Sequence, residues 1–191
     1  MTQTILVPNT VFTVSNLLSP AECDDYIAET EKIGYQPAPI TTSAGFEMRP
    51  DIRNNRRVML DDIERSTVLW ERIEPHIPPV LQLQKQEAIG LNERLRFYRY
   101  DPGEYFAPHF DGAYRRPNGE ISIWTFMVYL NEGFVGGETR FNSRYPHSDV
   151  TVVPQKGMAL CFIHHLLHEG APVIQGRKYV LRSDVMYSAP E

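Results

Sequence analysis

The feature that most constrains the fold is a succession of short β-type segments in the second half of the chain. After Gly90, runs rich in β-branched and aromatic residues alternate with turn residues such as Gly136-Gly137 and Pro154–Gly157. These runs cover 94–100, 105–110, 121–130, 138–142, 150–153, 158–162, 171–175 and 178–187. About eight strands in a row predict a mainly β protein folded as a double-stranded β-helix, or jelly roll.

Two helices are predicted in the first half of the chain. Ser19-Pro20-Ala21-Glu22 has the pattern of a capping box, and Gly34 is the expected stop of that helix. A second helix is expected to begin at Asp61 or Asp62 and to be interrupted from Pro75 onward.

The length of 191 residues suits one domain with its own core. We predict a single domain over 1–191. Its helical support, within 1–90, is expected to pack on one sheet of a jelly-roll core formed by 91–187.

Charge and cysteine content narrow the expected partners and compartment. The net charge of −5 disfavours nucleic acid and acidic membranes, which attract basic surfaces. Cys23 and Cys161 are far apart, as expected in a reducing compartment without a disulfide framework. Met1–Pro8 lacks the features of a signal peptide, and no apolar run reaches the length of a membrane span. These patterns predict a cytoplasmic protein.

A candidate metal site begins at His109-Phe110-Asp111. In a β-strand, residues i and i+2 project from the same face, so the imidazole and the carboxylate can point at one spot. Joined by a second imidazole, they would form the facial triad that holds Fe(II) and leaves coordination positions open. Alone, the triplet is weak evidence for a metal site.

The second imidazole has several candidates later in the chain. They are His147, His164, His165 and His168. His168 stands out because a Gly176-Arg177 turn and then Lys178 follow it. A hairpin of this length would return the chain beside His168 and aim Lys178 into the same barrel. A buried lysine is costly unless it meets an anion, and a fixed carboxylate is the natural partner.

Four motifs follow one another in this strand-rich half. They are Tyr100-x-x-Gly103-x-x-Phe106-x-x-His109-x-Asp111, Gly136-Gly137-Glu138-Thr139-x-Phe141, His168-x-Gly170, and Lys178 ten residues after His168. In this order, the chain from about Leu95 to Tyr187 resembles the 2-oxoglutarate and Fe(II)-dependent dioxygenases. Within that family, it resembles the prolyl 4-hydroxylase catalytic domain.

The resemblance implies a set of site residues and cofactors. It implies that the iron ligands are His109, Asp111 and His168. Lys178 would pair with the distal carboxylate of 2-oxoglutarate, with help from the Thr139 hydroxyl, and Tyr100 would hydrogen-bond this cosubstrate. The cofactors implied are Fe(II), 2-oxoglutarate and O₂, and ascorbate is an additional candidate.

Strand alternation adds Arg182 to the site. If Lys178 points into the barrel, Val180 and Arg182 point the same way, while Tyr179 and Leu181 face the helices. A buried Arg182 needs an acceptor. It could pair with a buried acid, or it could bind a carboxylate of the cosubstrate or an anionic group of the substrate.

Three residues are predicted to contact the substrate. They are Phe106, Arg56 and Arg115. Arg56 belongs to a basic run, 49–57, which is either a solvated mobile segment or a lid that offers cations to an anionic or carbonyl-rich partner. The prolyl hydroxylases commonly have tyrosine where this chain has Phe106, which leaves the identity of the substrate open.

The reaction implied is hydroxylation of an unactivated C–H bond with release of succinate and CO₂. The first hypothesis is a prolyl or other residue in a protein or peptide as substrate, and the second is a free amino acid or small metabolite. A non-catalytic metal-binding sensor and a cupin-like zinc or manganese enzyme are the remaining alternatives. The oligomeric state is left open.

Overall fold

The computed structural model describes residues 1–42, 45–81, 86–141 and 149–189. The helices are α1 (Pro20–Ile33) and α2 (Ile63–Ile73), and a 3-10 turn (Glu74–His76) follows α2. The strands are β1 (Thr2–Val7), β2 (Val11–Ser15), β3 (Gln36–Pro37), β4 (Ile40–Thr42), β5 (Gly45–Glu47), β6 (Arg56–Asp61), β7 (Val80–Leu81), β8 (Gln86–Leu91), β9 (Arg94–Tyr100), β10 (Phe106–His109), β11 (Ile121–Tyr129), β12 (Val135–Gly136), β13 (Thr139–Phe141), β14 (Val150–Val152), β15 (Ala159–Ile163), β16 (His168–Gly170), β17 (Val173–Gln175) and β18 (Lys178–Tyr187).

The strands form one large and one small antiparallel sheet. The ten-stranded sheet has the order β1-β2-β15-β11-β18-β9-β6-β3, with β8 beside β18 and β7 beside β8. The four-stranded sheet has the order β10-β16-β13-β14, and β12–β17 and β4–β5 form two separate pairs. This architecture confirms the predicted mainly β class and is consistent with a jelly roll.

Two apolar clusters use opposite faces of β18. Tyr179 and Leu181 belong to a cluster that includes Cys23 of α1 and Leu69 of α2. Val180 belongs to the other cluster, which joins the two sheets through Tyr129, Phe141 and Phe162. The predicted alternation along β18 is therefore confirmed. Burial of each large side chain contributes roughly 1.5–3 kcal/mol.

Both helices begin as the sequence predicts. The hydroxyl of Ser19 accepts the Glu22 amide and the Glu22 carboxylate accepts the Ser19 amide, which is the expected capping box. Gly34 ends α1 with a φ of +90°, and Asp62 caps α2. The Tyr26 ring of α1 lies 5.5 Å from the Phe97 ring of the large sheet. Joint packing of the two helices as one layer stays a prediction.

The predicted boundary between helical support and jelly-roll core is wrong for the large sheet. The strands β2 and β6, both within 1–90, are interior strands of that sheet, paired with β15 and β9. The segment from Tyr35 to Asn55, whose prolines and glycine indicate a long loop, contains three short strands, β3 to β5. β3 pairs with the more distant β6, whereas β4 and β5 pair with each other. Strands of two or three residues are too short to show an alternating pattern, so the sequence did not indicate them.

The predicted hairpin between His168 and Lys178 is also wrong. The strand β16 pairs with β10 and β13 in the small sheet, whereas β18 pairs with β9 and β11 in the large one. The chain crosses between the sheets after β17, and Lys178 reaches the same interior from the opposite wall. Among the described residues, neither helix has the length and apolar character needed to cross a membrane.

Gly157 is a position where the fold requires glycine. Its φ is +78°, its amide donates to the Tyr129 carbonyl, and a Cβ there would overlap the Leu18 carbonyl oxygen. Gly133 has a similar φ of +84° but open space around it. We expect Gly157→Ala to lower the free energy of unfolding by about 1–3 kcal/mol more than Gly133→Ala does, because only the first adds steric overlap. Denaturant unfolding of both variants checks this, and equal losses would contradict it.

Candidate active site

Three metal-ligating side chains meet at the edge of the small sheet. His109 at the end of β10 is paired in register with His168 at the start of β16, with a bulge in the pairing between Phe106 and His109. The Asp111 amide donates to the His164 carbonyl at 3.0 Å, which brings Asp111 beside the two histidines. The candidate ligand atoms of His109, Asp111 and His168 all lie within 4.8 Å of one another.

Backbone carbonyls orient the two imidazoles. The Nδ1 of His109 lies 2.8 Å from the Ala107 carbonyl oxygen, and that of His168 lies 2.9 Å from the Leu166 carbonyl oxygen. A carbonyl can only accept, so Nδ1 carries a proton in each ring and Nε2 is the nitrogen that faces the candidate metal site. The Nε2 atoms lie 3.6 Å and 3.7 Å from the Asp111 carboxylate. Burial lowers the pKa of His168 to about 4, which keeps this ring neutral as a ligand must be.

Asp111 is held as a carboxylate by its neighbours. Its Oδ2 accepts a hydrogen bond from the Thr125 hydroxyl at 2.5 Å, and Arg182 Nη2 lies 3.0 Å from its Oδ1. Burial by itself raises the pKa of Asp111, but Arg182 and the two histidines outweigh it and hold the pKa well below the usual range. Two imidazoles and one carboxylate on one side of a space form the donor set that suits Fe(II).

The triad lies between an inner pocket and an outer cleft. The inner pocket, between the sheets, has a volume of about 50 Å³, and the outer cleft has a volume of about 530 Å³. Both cavities are lined by His109, Asp111 and Arg182, together with Tyr98 and Phe106. A ligand on each side could therefore approach the same metal.

Lys178 lines the inner pocket, as predicted. Its buried Nζ donates to the Gly137 carbonyl at 2.6 Å. Gly137 permits this approach, because a Cβ there would lie 3.2 Å from the lysine Cδ. Burial lowers the pKa of Lys178 to about 7, with Glu138 opposing the shift. In the described part of the chain, no carboxylate forms an ion pair with Lys178, so the pocket has an anchor for an anion from outside.

The other predicted inner-pocket residues are also in place. Tyr100 is buried and lines the pocket, and its ring centroid is 5.1 Å from the Lys178 ammonium. Thr139 lines the pocket and shares a 2.7 Å hydrogen bond with the Tyr129 hydroxyl. Their contacts with 2-oxoglutarate stay predictions.

Arg182 takes the first of its two predicted arrangements, contact with buried acids. Besides Asp111, its Nη2 lies 3.3 Å from Asp184 Oδ1. Burial alone would lower the pKa of Arg182, but the carboxylates of Asp111 and Asp184 outweigh burial and raise the pKa above its ordinary value. The guanidinium therefore stays charged. Arg182 thus bridges a candidate metal ligand and a second carboxylate that lines the outer cleft.

The predicted substrate contacts are only partly in place. Phe106 stacks on the His109 imidazole with 3.5 Å between ring centroids. Arg56 and Arg115 are exposed and line neither cavity. Arg53 and Arg57, from the same basic run as Arg56, line the outer cleft instead. Adjacent residues of a strand face opposite ways, which is why Arg57 and not Arg56 reaches the cleft.

The remaining histidine candidates lie outside the triad or outside the described residues. His164 is buried with its Nε2 3.6 Å from Asp184, and His165 is exposed. His147 falls outside the described residues. His76 interacts with Gln3 at the surface.

Sequence reasoning missed three residues of the site. They are Tyr98, Thr125 and Tyr129. Tyr98 lies two residues before Tyr100 on β9, so the alternation used for β18 could have identified it. Arg53 was predicted only as a member of the basic run, because its position between the rings of Tyr98 and Phe106, 4.5 Å from each, depends on tertiary packing.

Thr125 offers a test of how strongly Asp111 is positioned. Thr125→Val keeps the side-chain shape and removes only the hydroxyl that donates to Oδ2. We expect metal affinity to fall about 10- to 100-fold, the usual effect of losing an outer contact to a ligand. Titration with Fe(II) under anaerobic conditions measures this. Unchanged affinity in a folded variant would show that the hydroxyl does not position the carboxylate.

Comparison with known protein families adds independent information. Residues 95–183 match the model of the 2OG-Fe(II) oxygenase superfamily. Prolyl 4-hydroxylase 1 of Arabidopsis thaliana is 24% identical over 191 aligned residues, which cover 88% of this chain and 66% of the relative. The chain thus spans slightly less than two thirds of that relative.

Solved structures share the fold. One is the viral collagen prolyl hydroxylase vCPH of Paramecium Bursaria Chlorella virus-1 in a 2OG complex, with a TM-score of 0.62, 23% identity, and coverage of 95% of this chain and 98% of that one. Another is a Trichoplax adhaerens prolyl hydroxylase in complex with a hypoxia inducible factor peptide fragment. It has a TM-score of 0.68 and 15% identity, and 93% of this chain and 84% of that chain are covered.

Proposed function

We propose, from the match of residues 95–183 to the model of the 2OG-Fe(II) oxygenase superfamily, that this chain is a dioxygenase that hydroxylates a prolyl or other residue of a protein or peptide. The observation that carries the proposal is the triad at the junction of two cavities. The inner pocket ends in a buried ammonium without an ion-pair partner among the described residues, which suits a dicarboxylate cosubstrate. The outer cleft is open to a larger substrate.

Each residue then has a defined task. His109, Asp111 and His168 would hold Fe(II), which would supply the oxidising chemistry: one oxygen atom of O₂ would enter the substrate C–H bond and the other would enter succinate as 2-oxoglutarate loses CO₂. Lys178 binds the distal carboxylate, and the hydroxyls of Tyr100 and Thr139 orient the cosubstrate.

Two further residues hold the metal-binding carboxylate. Thr125 and Arg182 keep Asp111 charged and in place. The apolar residues Phe106, Phe162 and Val180 line the inner pocket and limit the access of water.

A peptide substrate is proposed for the outer cleft, which is the larger of the two cavities at the triad. Its volume of about 530 Å³ lies within the roughly 300–1,000 Å³ of usual ligand pockets, whereas the inner pocket has about 50 Å³. The Trichoplax relative by fold binds a peptide fragment. We also propose a cytoplasmic location, because Cys23 and Cys161 are free thiols, as is usual in a reducing compartment. The helices α1 and α2 are proposed to form a supporting layer on one sheet.

The test is the stoichiometry of the native protein with Fe(II), 2-oxoglutarate and O₂. We expect slow formation of equal amounts of succinate and CO₂, faster in the presence of a proline-containing peptide library, and a peptide product heavier by one oxygen atom. If free amino acids accelerate succinate formation and peptides do not, the substrate is a small metabolite and not a peptide. Tight iron binding without any succinate would make the protein a metal-binding module.

A further inference from the structure

The outer cleft has an excess of positive charge. Four arginines line it, and two carboxylates oppose them. The arginines are Arg53, Arg57, Arg96 and Arg182, and the carboxylates are Asp111 and Asp184. A divalent metal on Asp111 would add two more positive charges. The chain as a whole carries a net charge of −5, so this cleft has the opposite sign to the protein around it.

Both carboxylates of the cleft are already engaged. Arg96 and Arg182 stand directly opposite each other on β9 and β18, where like charges repel. Asp184 lies between them, with its Oδ2 2.9 Å from Arg96 Nη1 and its Oδ1 3.3 Å from Arg182 Nη2. Asp111 also contacts Arg182, with 3.0 Å between its Oδ1 and the arginine Nη2, and it is one of the three candidate metal ligands. Neither acid is left to neutralise the other two arginines.

Arg53 and Arg57 have no anionic partner in the described residues. Arg53 is 5% exposed, its Nε donates to the Asn55 side chain, and its Nη2 is buried without a hydrogen bond. Arg57 is half-buried, and its Cζ atom lies 5.7 Å from the centroid of the Phe46 ring. Burial lowers the pKa of Arg57, and the cations Arg53 and Arg96 lower it further. Such a cluster is costly unless an anion enters.

We infer that the outer cleft binds an acidic peptide segment, whose carboxylate pairs with Arg57 while a neighbouring residue reaches the metal. This inference rests on the proposed function and specifies the substrate class of the same site. The guanidinium of Arg53 is held between the rings of Tyr98 and Phe106. It therefore contributes a positive potential at a fixed place and does not move to meet the peptide. Neutral segments gain nothing from this field, so charge selects the substrate.

A matched pair of peptides tests the inference. Both are fluorescently labelled and blocked at their termini, and each has a central proline flanked by two glutamates or by two glutamines. Binding is followed by anisotropy to native protein with 2-oxoglutarate and Mn(II), which suits the same ligands as Fe(II) without turnover. We expect the glutamate peptide to bind about 10-fold more tightly, as expected for a charge-assisted hydrogen bond, with a preference that declines in salt.

Two neighbouring arginines provide the variant and its control. Arg57→Gln should abolish the preference for the glutamate peptide. Arg56→Gln removes the same charge from the next residue of β6, which lines neither cavity and has only a 4.0 Å approach to Glu104, and should leave the preference intact. The affinity for the glutamate peptide should become less dependent on salt in Arg57→Gln but not in Arg56→Gln.

The inference is overturned if native protein does not bind the glutamate peptide, or binds both peptides equally. A preference that persists in Arg57→Gln, or that both variants lose equally, also overturns it. Succinate formation by native protein without peptide reports the proposed dioxygenase activity separately. Its failure counts against that activity, whereas normal succinate formation with no charge preference counts only against the acidic substrate.

Discussion

Lys178→Met is expected to raise the concentration of 2-oxoglutarate that the protein needs while making the unliganded protein more stable. The Lys178 ammonium is buried in the inner pocket, where the Gly137 carbonyl is its hydrogen-bond acceptor. Loss of one partner of a buried charge pair costs about 2–5 kcal/mol, so the concentration of 2-oxoglutarate needed should rise about 30-fold or more. Without cosubstrate, replacement of the buried charge by an apolar chain should stabilise the fold by about 1–4 kcal/mol.

Two measurements check the effects of Lys178→Met. Succinate formation as a function of 2-oxoglutarate concentration gives the first, and denaturant unfolding without ligand gives the second. The control is Lys156→Met, which makes the same change at a lysine paired with Asp24 at 2.6 Å, away from both cavities. It should leave the requirement for 2-oxoglutarate unchanged. If Lys178→Met behaves like this control, Lys178 is not the carboxylate anchor.

The stability gain of Lys178→Met should depend on pH with a definite sign. Burial lowers the pKa of Lys178 from its ordinary 10.5 to about 7 in the folded chain. Unfolded chains therefore bind more protons than folded ones between pH 7 and 10.5, and native stability rises with pH across that window. The advantage of methionine should be largest near or below pH 7 and shrink toward pH 10. A constant gain would mean that burial does not shift the pKa of Lys178.

The strands that carry the site were predictable because they are long and alternate. The strand β18 was predicted at both ends, and the alternation of Lys178 and Arg182 against Tyr179 and Leu181 follows from a period of two. The pair His109 and Asp111 is local, so the spacing alone indicated a shared spot. The turn and the lysine that follow His168 singled it out among the histidines, although the expected hairpin does not form, and the resemblance to a known family then implied it as a ligand.

Contacts between distant segments could not be predicted from the sequence. Arg53 lies between Tyr98 and Phe106 only because β10 and the loop before β6 approach each other, joined by the isolated bridge from Arg53 to Phe106. The choice of Arg57 over Arg56 as the residue facing the cleft depends on the register of β6 against β9. A shift of one residue would have exchanged them, and the local pattern does not fix that register.

Asp111→Ala is expected to remove metal binding and with it all succinate formation. Asp111 supplies the only carboxylate of the triad found among the described residues, and it also compensates the charge of Arg182. With alanine, only two imidazoles remain beside a guanidinium that repels cations. The loss should therefore exceed the about 10- to 100-fold effect expected for Thr125→Val, which keeps the carboxylate.

Two measurements check the effect of Asp111→Ala. The first is the metal content per chain after dialysis against Fe(II) under anaerobic conditions, and the second is succinate formation. Asp184 still accepts from Arg182 at 3.3 Å in this variant, so the buried guanidinium keeps a partner and the fold should persist. Circular dichroism verifies this, and Thr125→Val serves as the graded control. An Asp111→Ala protein that is folded, retains one iron per chain and forms succinate would place the metal elsewhere. A folded protein without iron would show that the Asp111 carboxylate is what makes two histidines on neighbouring strands a metal centre.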